Sequence, residues 1–230
     1  MGYILLEGGA EFGGKMAEPD RRAMQLAGGT KARIRIIPAA AAPDKNHRRV
    51  GEKGMRWFHS LGAVDTVFLP LVDRTSADEP MVADILQRAH LIYMPGGFPG
   101  YLCEILAGSR CWQAMQSAYR SGAVIGGSSA GAMVLCEHFY DPQAESLRPG
   151  LGLIPGACIL PHHDTYGSEW AARVAAQIPA AVLIGIDEET GIIDETPGQW
   201  HVYGKGGVTL YRNGTKTTHP SGESFKQVET

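Results

Sequence analysis

Five short runs, residues 3–6, 32–38, 64–71, 91–94 and 123–126, are rich in strand-forming residues and mostly apolar on both faces, with no sustained alternation. Strands of that kind sit inside a parallel sheet, because only helices packed on both sides can hide both of their faces. The stretches between them read as helices. Residues 47–61 set Val50, Met55, Trp57 and Phe58 among charged residues, 81–89 has helical spacing, and 101–119 holds two short helices divided near Gly108 and Ser109. Glycine, 30 of 230 residues, falls at the ends of the runs, where strand, loop and helix meet. The alternation predicts an α/β fold with a mainly parallel central sheet and helices on both faces.

Past Asp141 the texture changes to prolines, one helix near 168–177 and short strand-like pieces up to Leu210. We read these as the far edge of the sheet with an antiparallel or hairpin finish. Residues 211–215 form a turn, and the polar segment 216–230 is expected to be loosely ordered. No shift of composition marks a boundary, so the expectation is one domain over 1–230. Hydrophobic residues make up 44% and charged residues 20%, and 21 Lys and Arg face 24 Asp and Glu without a basic block. That balance argues against nucleic acid as a partner. No apolar run reaches the roughly 18 residues of a membrane span, and Glu7 interrupts any signal-peptide core. The expectation is a cytoplasmic protein without a membrane partner. Cys103, Cys111, Cys136 and Cys158 have no C-x-x-C spacing and read as reduced thiols in or near the core.

The chemistry concentrates at three corners. Gly127-Ser128-Ser129-Ala130-Gly131 matches Gly-x-Ser-x-Gly, with an apolar strand before it and an Ala/Met/Val/Leu helix after it. In that setting Ser129 is raised from the sheet as a nucleophile, and the helix start offers free N–H groups to a developing oxyanion. A second corner, Pro95-Gly96-Gly97-Phe98-Pro99, follows the run at 91–94. In a parallel sheet it ends beside the first, where ligands collect, so the Gly97 and Ala130 amides together make a two-donor oxyanion hole. The base is sought at Pro161-His162-His163-Asp164, and one of the two histidines is the candidate. Neighbouring side chains on an extended segment point to opposite faces and no further His/Cys cluster joins them, which argues against a metal; no cofactor is expected. The orienting acid is sought in Ile186-Asp187-Glu188-Glu189-Thr190, where Glu188 or Asp187 can serve.

These residues resemble the serine peptidases that include cyanophycinase and aspartyl dipeptidase (peptidase E). The likeness runs over most of the chain and is carried by Leu6-Glu7-Gly8-Gly9-Ala10-Glu11, Gly96-Gly97, Gly127 to Ala132, Gly152-Leu153-Ile154-Pro155-Gly156 and the acidic segment at 184–190. The resemblance implies a flavodoxin-like scaffold shared with class I glutamine amidotransferases, which carry Cys at the elbow where this chain has Ser129. It implies a triad of Ser129, His162 and Glu188 with Gly97 and Ala130 as oxyanion donors, His162 being preferred because Pro161 precedes it. An older assignment for the family points to Asp141 as the acid.

Two departures bear on the substrate. Phe98 and Pro99 follow the second glycine where many members have Asp or Asn, and Thr165 to Trp170 replaces the Arg-rich run of cyanophycinases. The resemblance implies an aspartyl residue on the acyl side of the cleaved bond, and a buried carboxylate needs a cation. Arg173 is the first candidate and Lys205 the second, with Phe98 adding apolar surface. The expected partner is a small peptide, with a homodimer left open. An amidase or esterase on the same triad, and a non-catalytic binding protein of this fold, are the alternatives.

Overall fold

The computed structural model describes residues 1–196 and 198–226. Its first half is the predicted alternation: β1 (Tyr3–Glu7), α1 (Ala17–Leu26), β2 (Arg33–Ile36), α2 (His47–Ser60), β3 (Asp65–Phe68), α3 (Arg74–Ala77), α4 (Pro80–Gln87), β4 (Leu91–Met94), α5 (Pro99–Leu106), α6 (Arg110–Arg120), β5 (Val124–Ser128) and α7 (Ala130–Met133). The break between α5 and α6 falls where the sequence put it, because Gly108 turns left-handed (φ 69°) and the Ser109 hydroxyl accepts the Trp112 amide at 3.0 Å as an N-cap. Strands β1, β5, β4, β2 and β3 pair in parallel in that order. Alternation divides their side chains between two cores: Leu5, Ile34, Ile36 and Tyr93 pack under α1 and α2, while Ile4, Leu6, Ile92 and Ile125 face α4, α5 and α6. Each fully buried aliphatic side chain contributes about 1.5–3 kcal/mol.

The second half comprises β6 (His138–Asp141), β7 (Ser146–Pro149), β8 (Ala157–Leu160), α8 (Ala171–Gln177), β9 (Val182–Ile186), β10 (Thr190–Thr196), β11 (Gln199–Gly204), β12 (Gly207–Arg212), β13 (Thr215–Pro220) and β14 (Ser224–Lys226). Strands β10, β11 and β14 extend the main sheet antiparallel beyond β1, as the expected far edge. The others do not join it. β13, β12, β9 and β8 form a second, four-stranded sheet, and β6 pairs with β7. Ile159 and Ile184 of the second sheet belong to the same apolar cluster as Ile92 and Ile125 of the first, so one core joins both sheets.

The loosely ordered tail is corrected. Asn213 and Gly214 both turn left-handed (φ 50° and 74°) between β12 and β13, the signature of a two-residue hairpin, and β13 and β14 occupy residues that the sequence reading left unstructured. The last part of that expected tail, 227–230, lies outside the described residues. All four cysteines are buried and free, and among the described residues no helix is long and apolar enough to cross a membrane.

Candidate active site

Three chain corners converge at the carboxyl ends of β5, β8 and β9. Ser129 follows β5 at φ 48° and ψ −114°, a sparsely populated positive-φ conformation that costs a residue with a Cβ about 1–3 kcal/mol. Its amide donates to the Glu7 carbonyl at the end of β1 at 3.0 Å. That bond holds the corner down while the hydroxyl stands clear, and the half-buried Ser129 tops an otherwise buried strand. His162 follows β8, also left-handed (φ 49°), with its amide donating to the Gly8 carbonyl at 2.7 Å. Glu188 lies on the turn by which the chain leaves β9 of the small sheet and enters β10 of the large one. Ser129 and His162 therefore stand on different sheets, with Glu188 at the crossing.

Their side chains form one line. Ser129 Oγ is 3.0 Å from His162 Nε2, and His162 Nδ1 is 2.8 Å from Glu188 Oε1. A carboxylate only accepts, so Nδ1 carries the proton and Nε2 is left to receive one from the serine. The Glu188 amide is itself held by Asp164 Oδ1 at 2.8 Å. A Cβ on Gly9 would stand 2.3 Å from His162 Cε1, so the imidazole lies directly against that backbone.

The expected oxyanion donors flank this line. Gly97, at φ 144°, packs so close to the Ala40 carbonyl that a Cβ there would come within 2.3 Å of its oxygen. Among the described residues neither the Gly97 nor the Ala130 amide donates to a protein acceptor.

The neighbouring histidine faces the other way, because the left-handed turn at His162 (φ 49°) directs its ring to the elbow while His163 points back under the small sheet. His163 is 7% exposed, with Nε2 2.8 Å from the Tyr211 hydroxyl and Nδ1 3.4 Å from Asp187 Oδ1. Burial pushes the Asp187 carboxyl up, but His163 and the Gly207 amide outweigh it and hold the group below its ordinary value. Two parallel His–acid pairs thus tie the end of β8 to the end of β9, one facing the serine and one facing the small sheet. Asp141 is elsewhere: it accepts the Arg148 guanidinium at 2.9 Å on the β6–β7 hairpin, and no contact among the described residues joins it to His162.

Among the described residues no contact joins Arg173 to Ser129, His162 or Glu188. Arg173 donates to the Tyr140 hydroxyl at 2.7 Å and covers that ring, and successive ring contacts run from Tyr140 through Trp170 and Tyr166 to His162. Lys205 is 3.4 Å from Glu189, the neighbour of Glu188. The Lys15 amide and then Lys205 hold the Glu189 carboxyl below its ordinary value. Phe98 sits half-buried beside Gly97, its amide bonded to Ala40.

Sequence reasoning gave no role to Tyr166, whose ring stacks on His162 at 5.0 Å and 20°, nor to Glu11, which bonds both glycine corners. The signal for Tyr166 was present as an aromatic residue one helical turn past the histidine. Glu11 lay inside the quoted Gly8-Gly9-Ala10-Glu11 segment.

A family model described as peptidase family S51 matches residues 4–196. The chain belongs to peptidase family S51. Membership makes it a serine-type peptidase, and the α/β fold with its large, mainly parallel sheet agrees. Among relatives of family S51, a cyanophycinase of Geminocystis herdmanii is 29% identical over 90% of this chain and 79% of its own length. One from Trichormus variabilis is 30% identical over 94% and 75%. A solved peptidase from an acI-B1 Actinobacterium superposes with a TM-score of 0.88 at 29% identity, covering 98% of this chain and 97% of that one. A putative peptidase E protein from Listeria monocytogenes shares the fold at 0.61 and 15% identity, covering 96% and 98%.

Proposed function

We propose that this chain, as a single peptidase domain, cleaves short peptides through an acyl-enzyme on Ser129, with His162 as base and Glu188 as orienting acid. The observation that supports the reading is the unbroken line from Ser129 Oγ through His162 to Glu188, at 3.0 and 2.8 Å. As Oγ attacks the peptide carbonyl, its proton passes to His162 Nε2, and Glu188 stabilises the imidazolium that forms. The carbonyl oxygen, now an oxyanion, is received by the Gly97 and Ala130 amides. His162 then returns the proton to the departing amine. Water, deprotonated by the same Nε2, releases the acyl group and regenerates the serine.

For the substrate we infer a short peptide with an aspartyl residue, α- or β-linked, on the acyl side. Lys205 is the cation whose contacts lead to the acid segment, whereas Arg173 is engaged by Tyr140. Tyr166 and Trp170 wall the base with rings, which suits a short substrate better than a charged polymer such as cyanophycin.

A fluorophosphonate tests the nucleophile: the label is expected on Ser129 and not on Ser128, and is lost in Ser129→Ala. Label on Ser128, or active protein that takes none, rejects the triad. Asp-X, β-Asp-X, Asn-X and Leu-X dipeptides, with cyanophycin alongside, test the substrate. Aspartyl peptides should lead Leu-X by at least about tenfold in kcat/KM, the discrimination that one charge-assisted contact worth about 1.5 kcal/mol or more gives. Equal cleavage of Leu-X rejects the aspartyl reading. Comparing Lys205→Ala with Arg173→Ala shows which cation sets the preference.

A further inference from the structure

One side chain outside the triad spans both glycine corners. Glu11, half-buried in the loop between β1 and α1, accepts the Gly96 amide on Oε1 at 3.1 Å and the Ser128 hydroxyl on Oε2 at 3.2 Å. Gly96 adjoins Gly97, and Ser128 adjoins the nucleophile, so the carboxylate joins the two loops whose separation decides where the Gly97 and Ala130 N–H groups converge. The packing there is close: a Cβ on Gly96 would lie 3.4 Å from Glu11 Oε1 and 3.3 Å from Ser129 Cβ.

The loop is built to hold this side chain in place. Ala10 and Phe12, on either side of Glu11, are both left-handed (φ 58° and 62°), a conformation that residues with a Cβ adopt only where their surroundings enforce it. The enforcement is visible. The Phe12 ring packs on Tyr93 at 5.3 Å and on Phe58 at 6.3 Å, and the Glu11 carbonyl accepts the Lys53 ammonium at 3.2 Å.

A negative charge beside a developing oxyanion works against catalysis, so the value of this carboxylate is geometric. Its oxygens are strong acceptors that keep two loops at a fixed separation before the substrate arrives. A glutamine can make the same bridge, its oxygen accepting from Gly96 and its amide donating to the Ser128 oxygen.

We propose that Glu11 is a positioning residue for the oxyanion hole, clamping the Gly96–Gly97 corner to the Ser128–Ser129 elbow so that the two donor amides are preset. The proposal rests on the serine-peptidase reading above. It is tested with wild type, Glu11→Ala, Glu11→Asp and Glu11→Gln, comparing peptide kcat and KM, the rate of fluorophosphonate labelling and the thermal melt. Glu11→Ala should lower kcat and the labelling rate by about tenfold to a hundredfold, less than the roughly hundredfold to thousandfold cost of deleting a donor because both amides remain and are only displaced, with KM changed less than about threefold. Glu11→Asp, too short to reach both loops, should behave like Ala and stands in for it if Ala does not fold. Glu11→Gln should restore both rates to within about threefold of wild type. A folded Ala or Asp variant with wild-type kcat and labelling overturns the proposal, and so does a folded Gln variant as slow as Ala. Absence of label on wild-type Ser129 rejects instead the serine reading, and the proposal with it.

Discussion

Ser129, His162 and Glu189 all have left-handed backbones, so the proposed nucleophile, the proposed base and the neighbour of the proposed acid each stand where a relaxed chain would not place them. Three hydrogen bonds to the first loop region hold them: Ser129 to the Glu7 carbonyl, His162 to that of Gly8 and Glu189 to that of Gly9. At this scale the orienting acid is the sharpest test. Glu188→Gln keeps the shape and removes the charge that supports the imidazolium, so turnover should fall by about two to four orders of magnitude, as when a triad acid is neutralised, while the melting temperature stays put. Tyr166 offers a second test. Stacked on the His162 face and partly exposed, it should tolerate Phe with little change in kcat, whereas Ala frees the ring to rotate and should lower kcat about tenfold or less, the cost of looser orientation. The corner at Ser129 was legible in the sequence because a strand, a Gly-x-Ser-x-Gly turn and a helix are consecutive. Glu11 was not, since its partners Gly96 and Ser128 are far away in the chain and nothing local marks a carboxylate that joins them.

Among the elements, β1, β4 and β5 were readable because burial on both faces makes them apolar runs, whereas the edge strand β3 leaves Val67 exposed. The strand β13 was missed for the opposite physical reason: it is an exposed edge with a polar sequence, so no apolar period announces it, although Asn213-Gly214 before it is a strong hairpin signal. The ends of β8 and β9 carry a prediction of their own. Spacing alone suggests that His163→Ala should be nearly silent in activity. The buried His163 instead bridges Asp187 and Tyr211, so its loss removes one hydrogen-bond partner from each, Asp187 keeping the Gly207 amide, and should cost about 1.5–3 kcal/mol of stability. Thermal melts should show a clear decrease in melting temperature, with turnover well below that temperature largely retained; an unchanged melt would mean the bridge contributes nothing.

For the whole molecule, the notable charge lies beneath the elbow. Glu7 and Asp20 are fully buried together, Tyr93 donates to Glu7, and the Trp57 indole donates to Asp20 at 2.7 Å. Burial raises Asp20 to about 7, and burial followed by repulsion from Asp20 raises Glu7 well above its ordinary value. An unfolded Asp releases its proton near about pH 4. The native state therefore binds more protons than the unfolded one between there and about 7, and stability must fall as pH rises through that window. Asp20→Asn, which cannot ionise and still accepts from Trp57, should flatten the decline and melt higher than wild type at about pH 8. Melting curves recorded across the window decide this, and an unchanged slope would show that the pair does not carry the proton.

The placement of Ser129 and His162 on two different sheets gives the molecule an internal gauge. The 3.0 Å contact between Ser129 and His162 measures how one sheet sits on the other, and a slip of about 1 Å there is enough to break it. Mild denaturant that loosens the seam between the sheets without melting either one should silence the enzyme first, so peptidase activity should disappear at a lower urea concentration than tryptophan fluorescence or helical dichroism. The most sensitive reporter of that seam is thus the reaction itself.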